Sequence, residues 1–170
     1  ITHEHGDHIA GVIRSDIQDE IASKTILTKA QVNTLIDSPQ LPEIGLTENL
    51  AAKYTVIDYD KFLPIAPGIV LVRAAGHTPG HQIIYAQLET GMEYVFIGDI
   101  GWSLDNVIEI KPRPQSTINR IGEDPQALVT QLTWLNGLLK ENLLVIPSHD
   151  DSLLFKYAAE GLLNDSFIIH

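Results

Sequence analysis

The start of the chain carries the feature that most constrains its fold: His3, His5, Asp7 and His8 lie within six consecutive residues. Side chains two residues apart on an extended segment point the same way, so His3 and His5 can address one metal ion together. Gly6 permits a sharp turn, after which Asp7 and His8 begin a helix and point towards a second ion. A polar loop with chance histidines is the alternative, whereas a purification tag would show consecutive histidines. Because burying these groups without a metal is costly, the spacing predicts a metal site.

The composition limits both the partners and the chemistry of that site. The chain is 44% hydrophobic, enough for a single domain with its own core, which we place at residues 1–170. Its net charge of −11 repels phosphate backbones, so no nucleic-acid partner is expected. The absence of cysteine excludes disulfides and thiolate ligands. No apolar run is long enough to cross a membrane and no signal peptide is visible, so we expect a cytoplasmic protein without a membrane partner.

Short strands and helices alternate along the chain, which predicts an α/β or mixed α+β class. Strands are predicted at 24–28, 54–57, 69–72, 82–88, 93–97 and 143–146, with a hairpin turn at 89–91. Helices are predicted at 9–13, 29–36 and 151–160, and residues 111–118 are expected to form an exposed loop. The clearest helix follows the N-cap Asp124 and Pro125, and its apolar stripe is Leu128, Leu132, Leu135 and Leu139.

Further histidines and an aspartate occur where predicted strands end. Asp99 follows the strand at 93–97, His149 follows the strand at 143–146, and His77 follows the strand at 69–72 after a short connection. Sites built on a rigid sheet gather at one rim, on the segments that follow its strands. We therefore expect these residues to converge there with His3.

The motifs together resemble the metallo-β-lactamase superfamily, whose signature is HxHxDH preceded by threonine. Residues 2–8 read THEHGDH, residues 76–81 read GHTPGH, Gly98-Asp99 follows the strand YVFI, and residues 147–150 read PSHD after LLVI. The order of the motifs agrees with the family, and the resemblance spans residues 2 to 150. It implies seven metal ligands: His3, His5 and His77 on one ion, Asp7, His8 and His149 on a second, and Asp99 bridging both.

The resemblance also implies a fold and a cofactor. The fold is a four-layer αβ/βα sandwich, two sheets with helices outside. Family members carry several strands before HxHxDH, so the chain is expected to be an N-terminally truncated fragment of that domain. The implied cofactor is a pair of divalent metal ions, and the ligand types favour Zn²⁺ over the alternatives Fe and Mn.

The activity that the resemblance implies is metal-dependent hydrolysis at a dinuclear centre. A hydroxide bridged between the two ions would cleave a small ester, lactone or thioester. Two residues are predicted to be catalytic. Asp99 would hold the ions in register, and Asp7 would orient the nucleophile or relay a proton to the leaving group.

Among family members, N-acyl-homoserine lactonases resemble this chain best, through His81-Gln82 and the pair His149-Asp150. We predict that His81 and Trp102 bind the substrate, although Trp102 stands where lactonases carry tyrosine and cannot act as a phenol donor. One alternative is a hydroxyacylglutathione hydrolase of the glyoxalase II type, whose Cys-Gly-Arg-type segment has no match here. Another is a non-catalytic metal-binding or scaffold protein. The expected partner is a small-molecule substrate, and a homodimer is left open.

Several polar residues keep two interpretations. His81 either supports the site or is a plain histidine at the start of a strand. Lys111 and Arg113 either contact an anionic substrate or lie on a solvated loop, and Asp150 either supports His149 or is an exposed loop carboxylate. No part in the site is expected for Asp58, Asp60 or His170.

Overall fold

The computed structural model describes residues 1–141 and 143–163, which contain eight α-helices and seven strands. The helices are α1 (Gly6–Ile13), α2 (Gln18–Ala22), α3 (Lys29–Asp37), α4 (Glu48–Ala51), α5 (Leu104–Ile108), α6 (Gln115–Ile121), α7 (Pro125–Leu139) and α8 (Asp151–Ala159). The strands are β1 (Ile26–Thr28), β2 (Thr55–Ile57), β3 (Phe62–Ala66), β4 (Ile69–Arg73), β5 (Gln82–Gln87), β6 (Glu93–Gly98) and β7 (Leu144–Pro147). A short 3₁₀ turn covers Pro42–Ile44.

The strands form two sheets, and the α/β prediction is confirmed. The larger sheet has the order β3-β4-β5-β6-β7, and the smaller one pairs β1 with β2 in parallel. Neighbours in the larger sheet are antiparallel except for β6 and β7, which run parallel. The carboxyl ends of β6 and β7 therefore meet at one edge of the sheet, so Asp99 and His149 emerge side by side.

Helix α7 covers one face of the larger sheet as its sequence pattern predicts. Asp124 caps it by accepting hydrogen bonds from the next backbone N–H groups, and Pro125 occupies the first turn. Leu128, Leu132 and Leu135 are completely buried. They share a core with α5, α6 and the sheet residues that point to this side. The packing of this apolar stripe holds the sheet edge that carries the site.

Two smaller cores complete the packing. On the opposite face of the larger sheet, Leu153 and Tyr157 of α8 pack against Tyr94 and Ile146. The N-terminal helices pack with the smaller sheet around residues such as Leu27. No helix in the two described stretches combines the length and the apolar character that a membrane crossing requires.

One prediction about local structure is wrong, and strand β3 is missed. The loop predicted at 111–118 becomes helical at Gln115, because Pro114 occupies the N-cap position and Ile118 is buried in the core. The sequence pattern also does not predict β3, since Pro64 resembles a strand breaker. Strand β3 lies at the edge of its sheet, where a missing backbone N–H is tolerated.

Gly98 lies at the end of β6 with a φ of +53°, a conformation that side chains disfavour. A Cβ at this position would lie 2.6 Å from His81 Nε2. Gly91, in the β5–β6 turn, has a φ of +85° but nothing within 4 Å of such a Cβ, so it provides a matched control.

We expect Gly91→Ala to lower the free energy of unfolding by about 1 kcal/mol through backbone strain alone. Gly98→Ala should cost about 1–3 kcal/mol more, because the buried neighbours must also move. Urea denaturation in the presence of a chelator measures both values. Equal losses in the two variants would contradict the close approach of His81 to Gly98.

Candidate metal centre

The first residues of the chain are fixed against β5 and α3. The backbone N–H of Gln82 donates to Thr2 O at 2.8 Å, and the Gln82 side chain donates to Ile1 O at 2.7 Å. The buried Gln31 side chain donates to Thr2 O at 3.1 Å, while its own amide oxygen accepts from Thr28 N in a capping box. These bonds place His3 next to the residues that follow β4 and β6.

Three imidazoles converge at this point. His77 Nε2 lies 3.1 Å from His3 Nε2 and 3.0 Å from His5 Nδ1. His3 and His77 are buried, and His5 is half-buried. The sequence prediction that His3 and His5 point the same way therefore agrees with the geometry, and His77 completes a three-nitrogen group.

A second group forms at the start of α1. His8 Nε2 lies 3.6 Å from Asp7 Oδ2, and His149 Nε2 lies 3.5 Å from the same oxygen. The ligand atoms of all three residues lie within 4.8 Å of one another. Asp7 and His149 are more exposed than the first group, with side-chain exposures of 59% and 41%. This group therefore opens towards solvent.

Asp99 lies between the two groups. Its Oδ1 is 3.2 Å from His8 Nε2. Its Oδ2 is 3.2 Å from His149 Nε2 and 3.7 Å from His77 Nε2. One carboxylate thus faces imidazoles of both groups, and all seven residues implied by the sequence motifs are brought together.

The chemistry of these donors fits bound cations. Although His8 Nε2 and Asp99 Oδ1 are close, both are buried and neither has a partner in hydrogen-bonding geometry among the described residues. Nitrogen lone pairs that face one another without a shared proton repel, and a divalent cation would satisfy them. Imidazole and carboxylate oxygen are ligands that Zn²⁺, Fe and Mn accept.

Burial and neighbouring charges also favour the protonation states that metal ligation requires. Burial lowers the pKa of His3 well below its ordinary value, and neighbouring imidazoles lower it further. Burial followed by the charge of His77 lowers the pKa of His5 to about 4. Burial alone would raise the pKa of Asp99, but interactions with His8, His77 and His149 outweigh it and lower that pKa. At neutral pH His3 and His5 are therefore neutral, and Asp99 is ionised.

His81 supports the site from beneath. It is buried, and its Nε2 accepts a hydrogen bond from the backbone N–H of Asp99 at 3.2 Å. Its ring stacks on His3 with a centroid distance of 5.1 Å. Burial, followed by repulsion from His77, lowers the pKa of His81 to about 3, which keeps the ring neutral and able to accept. This position favours a supporting role for His81 over contact with a substrate.

Arg113 and Glu123 also lie behind His77. Arg113 is buried instead of lying on a solvated loop, and it binds Glu123, which in turn binds His77 Nδ1. Sequence reasoning does not identify Glu123, because a lone glutamate before a helix cap resembles many surface residues. Lys111 is exposed, as its solvated interpretation predicts.

Asp150 is not an exposed loop carboxylate. One of its oxygens accepts from Leu153 N at 3.0 Å and caps α8. The other accepts from Leu104 N at 2.8 Å at the start of α5. Asp58 and Asp60 are exposed as expected. His170 lies outside the described residues.

A cleft of about 740 Å³ opens over the two groups of ligands. Asp7, Trp102 and His149 line the cleft, together with Thr34 of α3 and Ser38 just after that helix. Arg120 and Ile121 of α6 line it as well. Trp102 Nε1 donates to Asp99 Oδ2 at 3.1 Å, so its polar atom is already engaged and its ring forms part of the cleft wall.

No protein-family model and no curated protein matches the chain. Solved structures do match. A B. thuringiensis AiiA variant with N-decanoyl-L-homoserine at its active site gives a TM-score of 0.67 at 17% identity, over 91% of this chain and 56% of that one. AidC, a dizinc quorum-quenching lactonase in complex with a homoserine product, gives 0.61 at 17% identity, over 88% and 56%. The hydrolase AbOPH of the beta-lactamase superfamily gives 0.58 at 19% identity, over 89% and 56%.

The chain thus spans little more than half the length of each of these proteins. At sequence identities of 17–19%, the likeness shows a shared fold and nothing further. The chain therefore shares the fold of these solved structures.

Proposed function

We propose that this chain carries the metal centre of a lactonase-like hydrolase that cleaves a small lactone, ester or thioester. The observation that carries this proposal is the position of the Asp99 carboxylate between two three-residue groups of ligands, at the base of an open cleft. Two structural neighbours were solved with acylated homoserines bound, the AiiA variant at its active site and AidC with a product, which supports a small-molecule substrate.

The proposed ligands fall into two groups, one for each metal ion. His3, His5 and His77 would hold one divalent ion, Asp7, His8 and His149 would hold the other, and Asp99 would contact both. Zn²⁺ is the proposed metal, because its ligand preferences fit and because AidC is a dizinc enzyme. When bound, such a pair of ions lowers the pKa of water and polarises a carbonyl, which supplies the nucleophile and stabilises the oxyanion.

The chain's own residues would orient the substrate and move the proton. Asp7 is the exposed carboxylate that faces both the cleft and His149, so we assign it the transfer of a proton to the leaving group. Trp102 would contact the substrate through its ring, since its indole N–H is bound to Asp99. His81 would act through the backbone of Asp99.

The lining of the cleft favours a small substrate with polar groups. It includes Thr34, Ser38 and Gln40, and also the exposed Arg120 and its neighbour Ile121. The acidic balance of the chain opposes a nucleic-acid substrate. A cytoplasmic location stays a prediction from the sequence, and a homodimer stays an open possibility.

Metal binding tests the site without reference to a substrate. We expect the chain saturated with Zn²⁺ to retain about two ions after desalting, as measured by atomic emission. Asp99→Ala should bind Zn²⁺ at least about 100-fold more weakly, because it removes the ligand shared by both groups. The exposed Asp60→Ala variant is the control and should bind like the parent. A chain that retains no ion would favour a scaffold protein and contradict the proposal.

Hydrolysis tests the reaction. We expect the Zn²⁺-loaded chain to open the ring of an N-acyl-homoserine lactone, as measured by proton release, with activity lost in chelator and restored by Zn²⁺. Asp7→Asn should lower kcat by about 10²-fold or more, because it removes a proton-transferring group. Asp16→Asn, on the exposed connection after α1, is the matched control.

Two results would change this assignment. Lactone hydrolysis that survives complete removal of the metal would contradict metal-dependent catalysis. Activity on S-lactoylglutathione without activity on lactones would move the assignment to a glyoxalase II-like thioesterase.

A further inference from the structure

A buried chain of polar side chains leads away from the metal centre behind His77. The ring nitrogen of His77 that points away from His3 and His5, Nδ1, binds a carboxylate oxygen of Glu123. The Glu123 side chain is completely buried, and that of His77 is 1% exposed. Glu123 lies 46 residues further along the chain, beside the N-cap of α7.

Arg113 also binds the Glu123 carboxylate, and its Nη2 bonds the same oxygen as His77 Nδ1. Its Nε donates to Glu123 Oε2 at 3.2 Å, and its Nη2 donates to Oε1. The Arg113 side chain is 2% exposed, so the pair is removed from solvent. A buried carboxylate without such a partner would be costly, whereas a two-bond pair with arginine holds it ionised and fixed in orientation.

Trp102 restrains Arg113 in turn. The Arg113 guanidinium carbon lies 4.9 Å from the centre of the Trp102 ring, a cation–π contact. Because Trp102 Nε1 also donates to Asp99 Oδ2, the chain of contacts returns to the metal centre. Neither Arg113 nor Glu123 is close enough to the centre to serve as a ligand itself, since His77 lies between.

We propose that Glu123 and Arg113 are positioning residues that fix the tautomer and the orientation of His77. The inference rests on the proposed metal centre. Glu123 Oε1 is the closest polar atom to His77 Nδ1, nearer than Arg113 Nη2 at 3.4 Å, and because a carboxylate paired with arginine only accepts hydrogen bonds, it selects the His77 tautomer with its proton on Nδ1. Its Nε2 lone pair then faces His3 and His5, in the direction that metal ligation requires.

The test separates the fixed tautomer from simple stabilisation of the fold. Glu123→Gln keeps the shape of the side chain but leaves the charge of Arg113 uncompensated. The double variant Glu123→Gln with Arg113→Met removes both charges, so it should recover much of the stability that the single variant loses. Glu109→Gln, an exposed substitution at the end of α5, is the control.

Zn²⁺ affinity is measured by competition with a chromophoric chelator, and unfolding is measured in parallel without metal. We expect both Glu123 variants to bind one of the two ions about 10–100-fold more weakly, including the double variant. In the metal-free chain, long-range ¹H–¹⁵N correlation spectra should show His77 protonated at Nδ1, and Glu123→Gln should shift the ring towards a mixture of tautomers.

The outcomes distinguish this inference from the function on which it rests. If the parent chain binds no Zn²⁺, the metal centre itself is wrong. If the parent binds Zn²⁺ and the double variant regains both stability and full affinity, Glu123 and Arg113 act only on the fold and the inference is overturned. An unchanged His77 tautomer in Glu123→Gln overturns it as well.

Discussion

The parallel pairing of β6 with β7 is the constraint on which the candidate metal centre depends. It places the carboxyl ends of both strands at one edge of the sheet, so that Asp99 and His149 lie within 3.2 Å of each other. The remaining donors reach this edge by two separate routes. The N-terminal segment is hydrogen-bonded to Gln82 of β5, and His77 enters from the connection that follows β4. A shift in either would separate the two groups that Asp99 joins.

Many polar groups are buried around the site, and most of them are hydrogen-bonded to a neighbouring residue. His81 Nε2 accepts a hydrogen bond from the backbone N–H of Asp99, and the Glu123 carboxylate binds both His77 and Arg113. Two atoms that stay without a hydrogen-bond partner among the described residues, His8 Nε2 and Asp99 Oδ1, lie 3.2 Å apart between the two groups of side chains. Such an arrangement is costly in an empty protein, and a bound cation would offset that cost.

Much of the fold could be predicted from the sequence, where local patterns are strong. The stripe of Leu128, Leu132 and Leu135 and its cap at Asp124 predict α7, and the two strands around Gly91 predict the β5–β6 hairpin. Weak or ambiguous patterns fail. Proline suggests a break in regular structure, yet Pro64 lies within an edge strand and Pro114 lies at the N-cap of a helix. The position in the sheet and the contacts with the core decide which structure forms around each proline.

The candidate site, too, could be predicted from the sequence only in part. The sequence by itself determined which donors share a short segment: His3 and His5 point the same way, and Asp7 and His8 begin α1, because covalent geometry fixes directions over a few residues. Only the tertiary structure decided that Glu123 lies behind His77, that Arg113 is buried beside it, and that Asp150 caps a helix. Such contacts depend on the path of the chain between residues far apart in sequence, and no local spacing encodes that path.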